Sequence, residues 1–185
     1  MNRDSYLLFL ALTLALVGAI IDIQQHRIPN WLTYPGMVLG FGLRTVLFGW
    51  KEGFLIGLKE GFLKGVGGWL LGGGVMFLFY MVRAMGAGDV KLMAAIGAMV
   101  GPGQVTEVLL ATAIFGGLLA IGYALYRRRM ISTLKNVGSV LKFHAWAGAQ
   151  AHPELNLDNP SALRMPYGLA IALGTLYAFV SIWWR

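Results

Sequence analysis

Gly86-Ala87-Gly88-Asp89-Val90-Lys91-Leu92 leads directly into an apolar run that reaches Val100. An acidic side chain thus stands just after a glycine-flanked break and just before a segment suited to lipid. Placing an ionisable group at membrane depth is unfavourable by about 2.5 to 3.5 kcal/mol on insertion scales, so such a residue is by default a functional candidate with a partner to be found. The partner this sequence offers is Asp22.

Composition supports the membrane reading. Of 185 residues, 57% are hydrophobic and only 12% charged, against about 25% charged in soluble globular chains; the mean hydropathy is +0.66. The fold class expected is all-α, a polytopic membrane protein with a bundle of about six transmembrane helices. A crossing needs about 20 residues plus a connection, so residues 1–185 suit one domain. The net charge of +7 comes from Lys and Arg placed mostly between apolar runs. Topology and anionic headgroups explain them, which makes lipid a partner and gives no nucleic-acid footprint. The absence of Cys excludes disulfides and thiolate metal sites. His26, His144 and His152 lack metal-ligand spacing, so neither a metal nor another cofactor is expected. The first apolar run is followed by Asp22 and a polar turn rather than by a small-residue cleavage site, and reads as a retained helix.

The uncharged segment 5–21 forms the first expected span and ends at Asp22. A polar turn, Gln24 to Asn30, follows. In it Pro29 disfavours helix at Ile28, and Asn30 is placed to cap a helix starting at Trp31. The second span covers 31–49, with Arg44 snorkelling toward headgroups. Lys51-Glu52-Gly53-Phe54-Leu55 is echoed by Lys59-Glu60-Gly61-Phe62-Leu63. The glycines repeat every fourth residue from Gly53 to Gly65, giving one face against which another backbone lies closely in an interfacial helix. A third span covers 65–82, and a short fourth, 90–100, stops at Gly101-Pro102-Gly103. A fifth, 108–126, meets Arg127-Arg128-Arg129, read as a cytoplasmic anchor. The long connection 127–164 holds an amphipathic piece near Leu134 to Trp146, and a sixth span covers 165–184. In this topology Asp22 and Asp89 share one membrane face.

The other acidic residues, Asp4, Glu52, Glu60, Glu107, Glu154 and Asp158, fall in termini, connections or the outer turn. Two carboxyl groups brought together share a proton, and one then acts as base on a water while the other acts as acid toward a carbonyl. The helix dipole suggests Asp89, at an N-terminus, as the base and Asp22, near a C-terminus, as the acid, although a coupled pair titrates as a unit. Gly86 and Gly88 permit the close backbone approach that an extended substrate needs. Lys91, Gln24, Arg27, Pro29 and Asn30 are supporting or substrate-binding candidates; headgroup contact accounts for Lys91 equally well, and a turn and a cap explain Gln24 and Asn30 more simply. Helix caps or ion pairs with Arg27 or Lys91 offer a purely structural account of the two Asp. A proton-coupled small transporter, with the acids as relay, and a non-enzymatic assembly subunit are the rival functions.

The segment from Gly86 to Leu92, continued by Ala95-Ile96-Gly97-Ala98 and Gly101-Pro102, closely resembles the GxGD segment of prepilin peptidases, the type IV leader peptidases. Asp22 with Arg27-Ile28-Pro29-Asn30 resembles the family's first aspartate segment, and Met165-Pro166-Tyr167-Gly168-Leu169 its last helix. The resemblance implies a membrane-embedded aspartic endopeptidase with Asp22 and Asp89 as the catalytic pair, in the bacterial cytoplasmic membrane. Its implied substrate is a prepilin or pseudopilin, cut at the cytoplasmic face after a Gly and before the hydrophobic helix. Larger members add a segment with paired cysteines and N-methylate the new terminus. This chain lacks that segment, and so resembles the short, cleavage-only form found with tight-adherence (Flp) pili.

Overall fold

A computed structural model of the chain describes residues 3–128, 130–148, 150 and 165–184. The protein is an all-α bundle with no strand among the described residues. Helix α1 covers Arg3–Gln25 and α2 covers Asn30–Glu52. Helix α3 starts at Phe54–Ile56, passes through a π-helical segment Gly57–Leu63 and continues as Lys64–Met81. Helix α4 covers Ala87–Tyr126, α5 covers Met130–Ala147, and α6 covers Tyr167–Ser181. A 3₁₀ turn, Ile182–Trp184, follows α6. Helices α1, α3 and α4 are long and apolar enough to cross a membrane, and α6 is apolar but shorter. The expected second span, α2, has the length but falls outside that apolar set. The amphipathic piece near Leu134 falls within α5. His152, Pro153, Glu154 and Asp158 lie outside the described residues.

The turn expected at Gly101 is a break inside α4. Gly101 has φ +80, a left-handed value that glycine adopts without Cβ strain, and Pro102 opens the second half of the helix. The first half is the axis of the bundle, with every residue from Leu92 to Gly101 buried. That explains why it is apolar on all sides: protein surrounds it, with α1, α2, α3 and α6 packed against the helix. Contact with α3 is backbone on backbone. A Cβ on Gly97 would stand 2.1 Å from the Gly68 carbonyl oxygen, and one on Gly68 would stand 2.1 Å from that of Gly97.

Of the near-repeat glycines, Gly57 and Gly61 bring α3 close to α2, whereas Gly53 takes φ +96 between the two helices and a Cβ on it would meet nothing within 4 Å. A Cβ on Gly57 would lie 2.7 Å from Gly49 Cα, and one on Gly61 would lie 2.6 Å from Thr45 Cα. Two polar expectations are corrected. Arg44 does not snorkel: it is 4% exposed, and its Nη1 donates to the Met99 carbonyl at 3.0 Å. The break at Gly101 frees carbonyls at the end of a helix, where a cation is also favoured by the dipole, and Arg44 supplies both needs. Its guanidinium also lies 3.8 Å from Asp4 Oδ1 and 5.0 Å from the Phe48 ring centroid. Asn30 does not cap α2. Pro29 occupies the N-cap position with extended backbone, and Asn30 is already the first helical residue.

Candidate active site

Asp22 lies one turn before the end of α1. The helix closes when His26 N donates to the Asp22 carbonyl at 2.8 Å, and His26 itself takes a left-handed φ of +49. Asp89 lies in the first turn of α4. Gly86 is the N-cap, and its N–H donates to Asp89 Oδ2 at 3.2 Å, so the side chain folds back on the break that precedes it. The two aspartates are 7% and 9% exposed. They open onto one cavity of about 330 Å³ and lie within electrostatic reach of each other.

Asp22 is held from a third helix. Pro166 precedes α6 as its N-cap, and the Gly168 N–H in the first turn donates to Asp22 Oδ2 at 2.9 Å. Glycine suits the approach, because a Cβ there would sit 3.1 Å from both Cβ and Oδ2 of Asp22 and 3.3 Å from Ala19 Cα. Tyr167 packs α6 against α4, where a Cβ on Gly116 would lie 2.9 Å from the phenol oxygen. Each carboxylate therefore has one oxygen bound by a glycine amide. Neither aspartate is in an ion pair among the described residues, so pairing with Arg27 or Lys91 does not account for them.

The cavity gathers most of the residues singled out in the sequence: Arg27, Asn30, Gly86, Gly88 and Lys91 line it together with the two acids. Lys91 Nζ donates to Asn30 Oδ1 at 2.9 Å and stands 5.0 Å from the Tyr34 ring centroid, tying α4 to α2. Gln24 and Pro29 are not in the lining; Gln24 is exposed at the end of α1. Gly88 does serve a close approach, but to the protein itself, since a Cβ would lie 2.9 Å from that of Ile28. His26, Ile28 and Ala87 also line the cavity. Their proximity to Asp22 and Asp89 in the chain was the available signal. Gly168 stood out only as part of the segment from Met165 to Leu169, with no role assigned, because its contribution is a backbone N–H.

Comparison with curated proteins and with solved structures gives no match. The sequence model of the type IV leader peptidase family matches residues 8–121, more than half of the chain, including both aspartates and ending before α6. The chain belongs to the type IV leader peptidase family.

Proposed function

We propose that this peptidase is a membrane-embedded aspartic endopeptidase that removes the leader from prepilins or pseudopilins, with Asp22 and Asp89 as the catalytic pair. The observation that carries the reading is that two acids from distant parts of the chain open onto one cavity, each with one carboxyl oxygen taken by a glycine amide. A water between them loses a proton to one carboxylate as its oxygen bonds to the scissile carbonyl carbon, and the other carboxyl protonates the carbonyl oxygen. Collapse of the tetrahedral diol breaks the C–N bond, the amine leaves with a proton, and a new carboxyl terminus is formed. The two carboxyl groups share one proton and titrate as a unit, so the base and acid roles belong to the pair rather than to either residue.

The site faces the cytoplasm of a bacterial inner membrane, and residues 1–185 act as one peptidase unit. The absence of Cys supports cleavage without N-methylation, as in the Flp-type short forms. Asp22→Asn and Asp89→Asn test the pair, since Asn keeps the shape and an acceptor for the glycine amide. With a co-expressed prepilin, each single variant is expected to lose cleavage by about 10³-fold or more, the scale on which members of a catalytic unit fail singly. Leader removal at the normal rate by both variants would defeat the assignment and favour the assembly-subunit reading.

A further inference from the structure

Beside the polar cavity lies a second concavity of about 390 Å³, open on the bundle surface between α2 and α3 with α4 as its floor. Tyr34 walls one side, Trp69 and Phe77 the other, and these rings are 50%, 37% and 48% exposed. From Trp69 to Phe77 the α3 wall rises about 12 Å at 1.5 Å per residue. It is low in the middle, where a Cβ on Gly74 would meet nothing within 4 Å. Lys91 lines both hollows, and the floor of the apolar one begins at Val90, the residue after Asp89.

We propose that this groove seats an apolar helical segment of the peptide substrate adjoining the scissile bond, an inference that rests on the peptidase reading above. A helix must unwind to present one bond to two carboxylates, and unwinding in lipid leaves carbonyls without donors. The boundary between the hollows carries a donor for them: Lys91 commits one ammonium proton to Asn30 and keeps two. An acyl chain fills apolar space equally well but makes no use of a junction with the carboxylates. A polypeptide whose polarity changes beside the cleaved bond uses both hollows at once.

The test employs a prepilin that the wild-type protein cleaves, in two forms. One is full length in vesicles of phosphatidylethanolamine and phosphatidylglycerol; the other is a water-soluble peptide ending a few residues past the scissile bond. Gly74→Trp fills the groove from a position where a Cβ meets nothing within 4 Å, and Gly117→Trp, whose Cβ likewise meets nothing within 4 Å, is the control on α4. Gly74→Trp is expected to raise KM for the embedded form by about tenfold or more, the equivalent of one lost apolar anchor, and to leave the soluble peptide at the wild-type rate. Gly117→Trp is expected to change neither. Equal slowing of both forms, or of neither, by Gly74→Trp overturns the proposal. A photoreactive residue at position 77 reads occupancy without catalysis: labelling of the prepilin's apolar segment supports the groove, and labelling of lipid alone refutes it. This readout stands even if Asp89→Asn still cleaves, in which case the catalytic assignment fails separately.

Discussion

Replacing Gly168 by Ala separates the positioning of Asp22 from its presence. The added methyl would lie 3.1 Å from both Cβ and Oδ2 of Asp22 and 3.3 Å from Ala19 Cα, so α1 and α6 must part by a few tenths of an ångström. Overpacking of this kind costs about 1 kcal/mol, the low end of the range for added methyl groups. The shift also weakens the 2.9 Å hydrogen bond that holds the carboxylate. A misplacement of about 1 Å can cost 10²-fold in rate, so a few tenths of that predicts a fall in kcat of about three- to tenfold with KM little changed. Initial rates on reconstituted prepilin, with Tm in detergent measured in parallel, give both numbers. Gly36→Ala calibrates packing alone: its Cβ would lie 2.9 Å from Leu14 Cδ2, a side-chain end, and Gly36 is not in the cavity lining. It is expected to lower Tm comparably and leave kcat unchanged. A Gly168→Ala enzyme with wild-type kcat, or a Gly36→Ala enzyme with the same loss of kcat, would refute the reasoning.

Arg44→Ala leaves the buried Met99 carbonyl without its donor, which predicts a loss of about 2 kcal/mol, seen as a lower Tm in detergent. Cleavage per folded molecule is expected to persist, because Arg44 pairs with Asp4 at the end of α1 remote from Asp22; an unchanged Tm would show that Arg44 is not a needed cap. Gly97→Ala sets a methyl 2.1 Å from the Gly68 carbonyl oxygen, a clash that no rotamer change relieves, and is expected to cost about 3 kcal/mol. Gly65→Ala, whose nearest contact is the Ala98 carbonyl at 3.1 Å, should be milder; equal accumulation of both proteins in the membrane would argue against the tight α3–α4 contact.

The helical class and the helix breaks at Pro29, Gly86 and Gly101 were legible because each rests on local chemistry: proline's fixed φ, a glycine before an acidic first turn, a glycine with positive φ. Asp22 and Asp89 stood out because carboxylates are costly beside apolar segments. What was not legible depended on partners distant in the chain. Arg44 reads as a snorkelling residue until Met99, fifty-five positions away, is seen to need a donor. Asn30 reads as a cap until Lys91 is found at its side chain. Gly168 carries no side chain that could advertise a role, and only the bundle shows its amide at Asp22. The run from Leu92 to Val100 was legible as part of a crossing, but not that protein encloses it on all sides, because apolarity alone does not tell the two solvents apart.

The bond from α6 to Asp22 joins residues 146 positions apart in the chain. During synthesis α1 enters the membrane early, and its acid has no amide to bind until the sixth helix has been threaded and docked. Fragments that stop after α4 contain both acids yet lack the clamp on one of them.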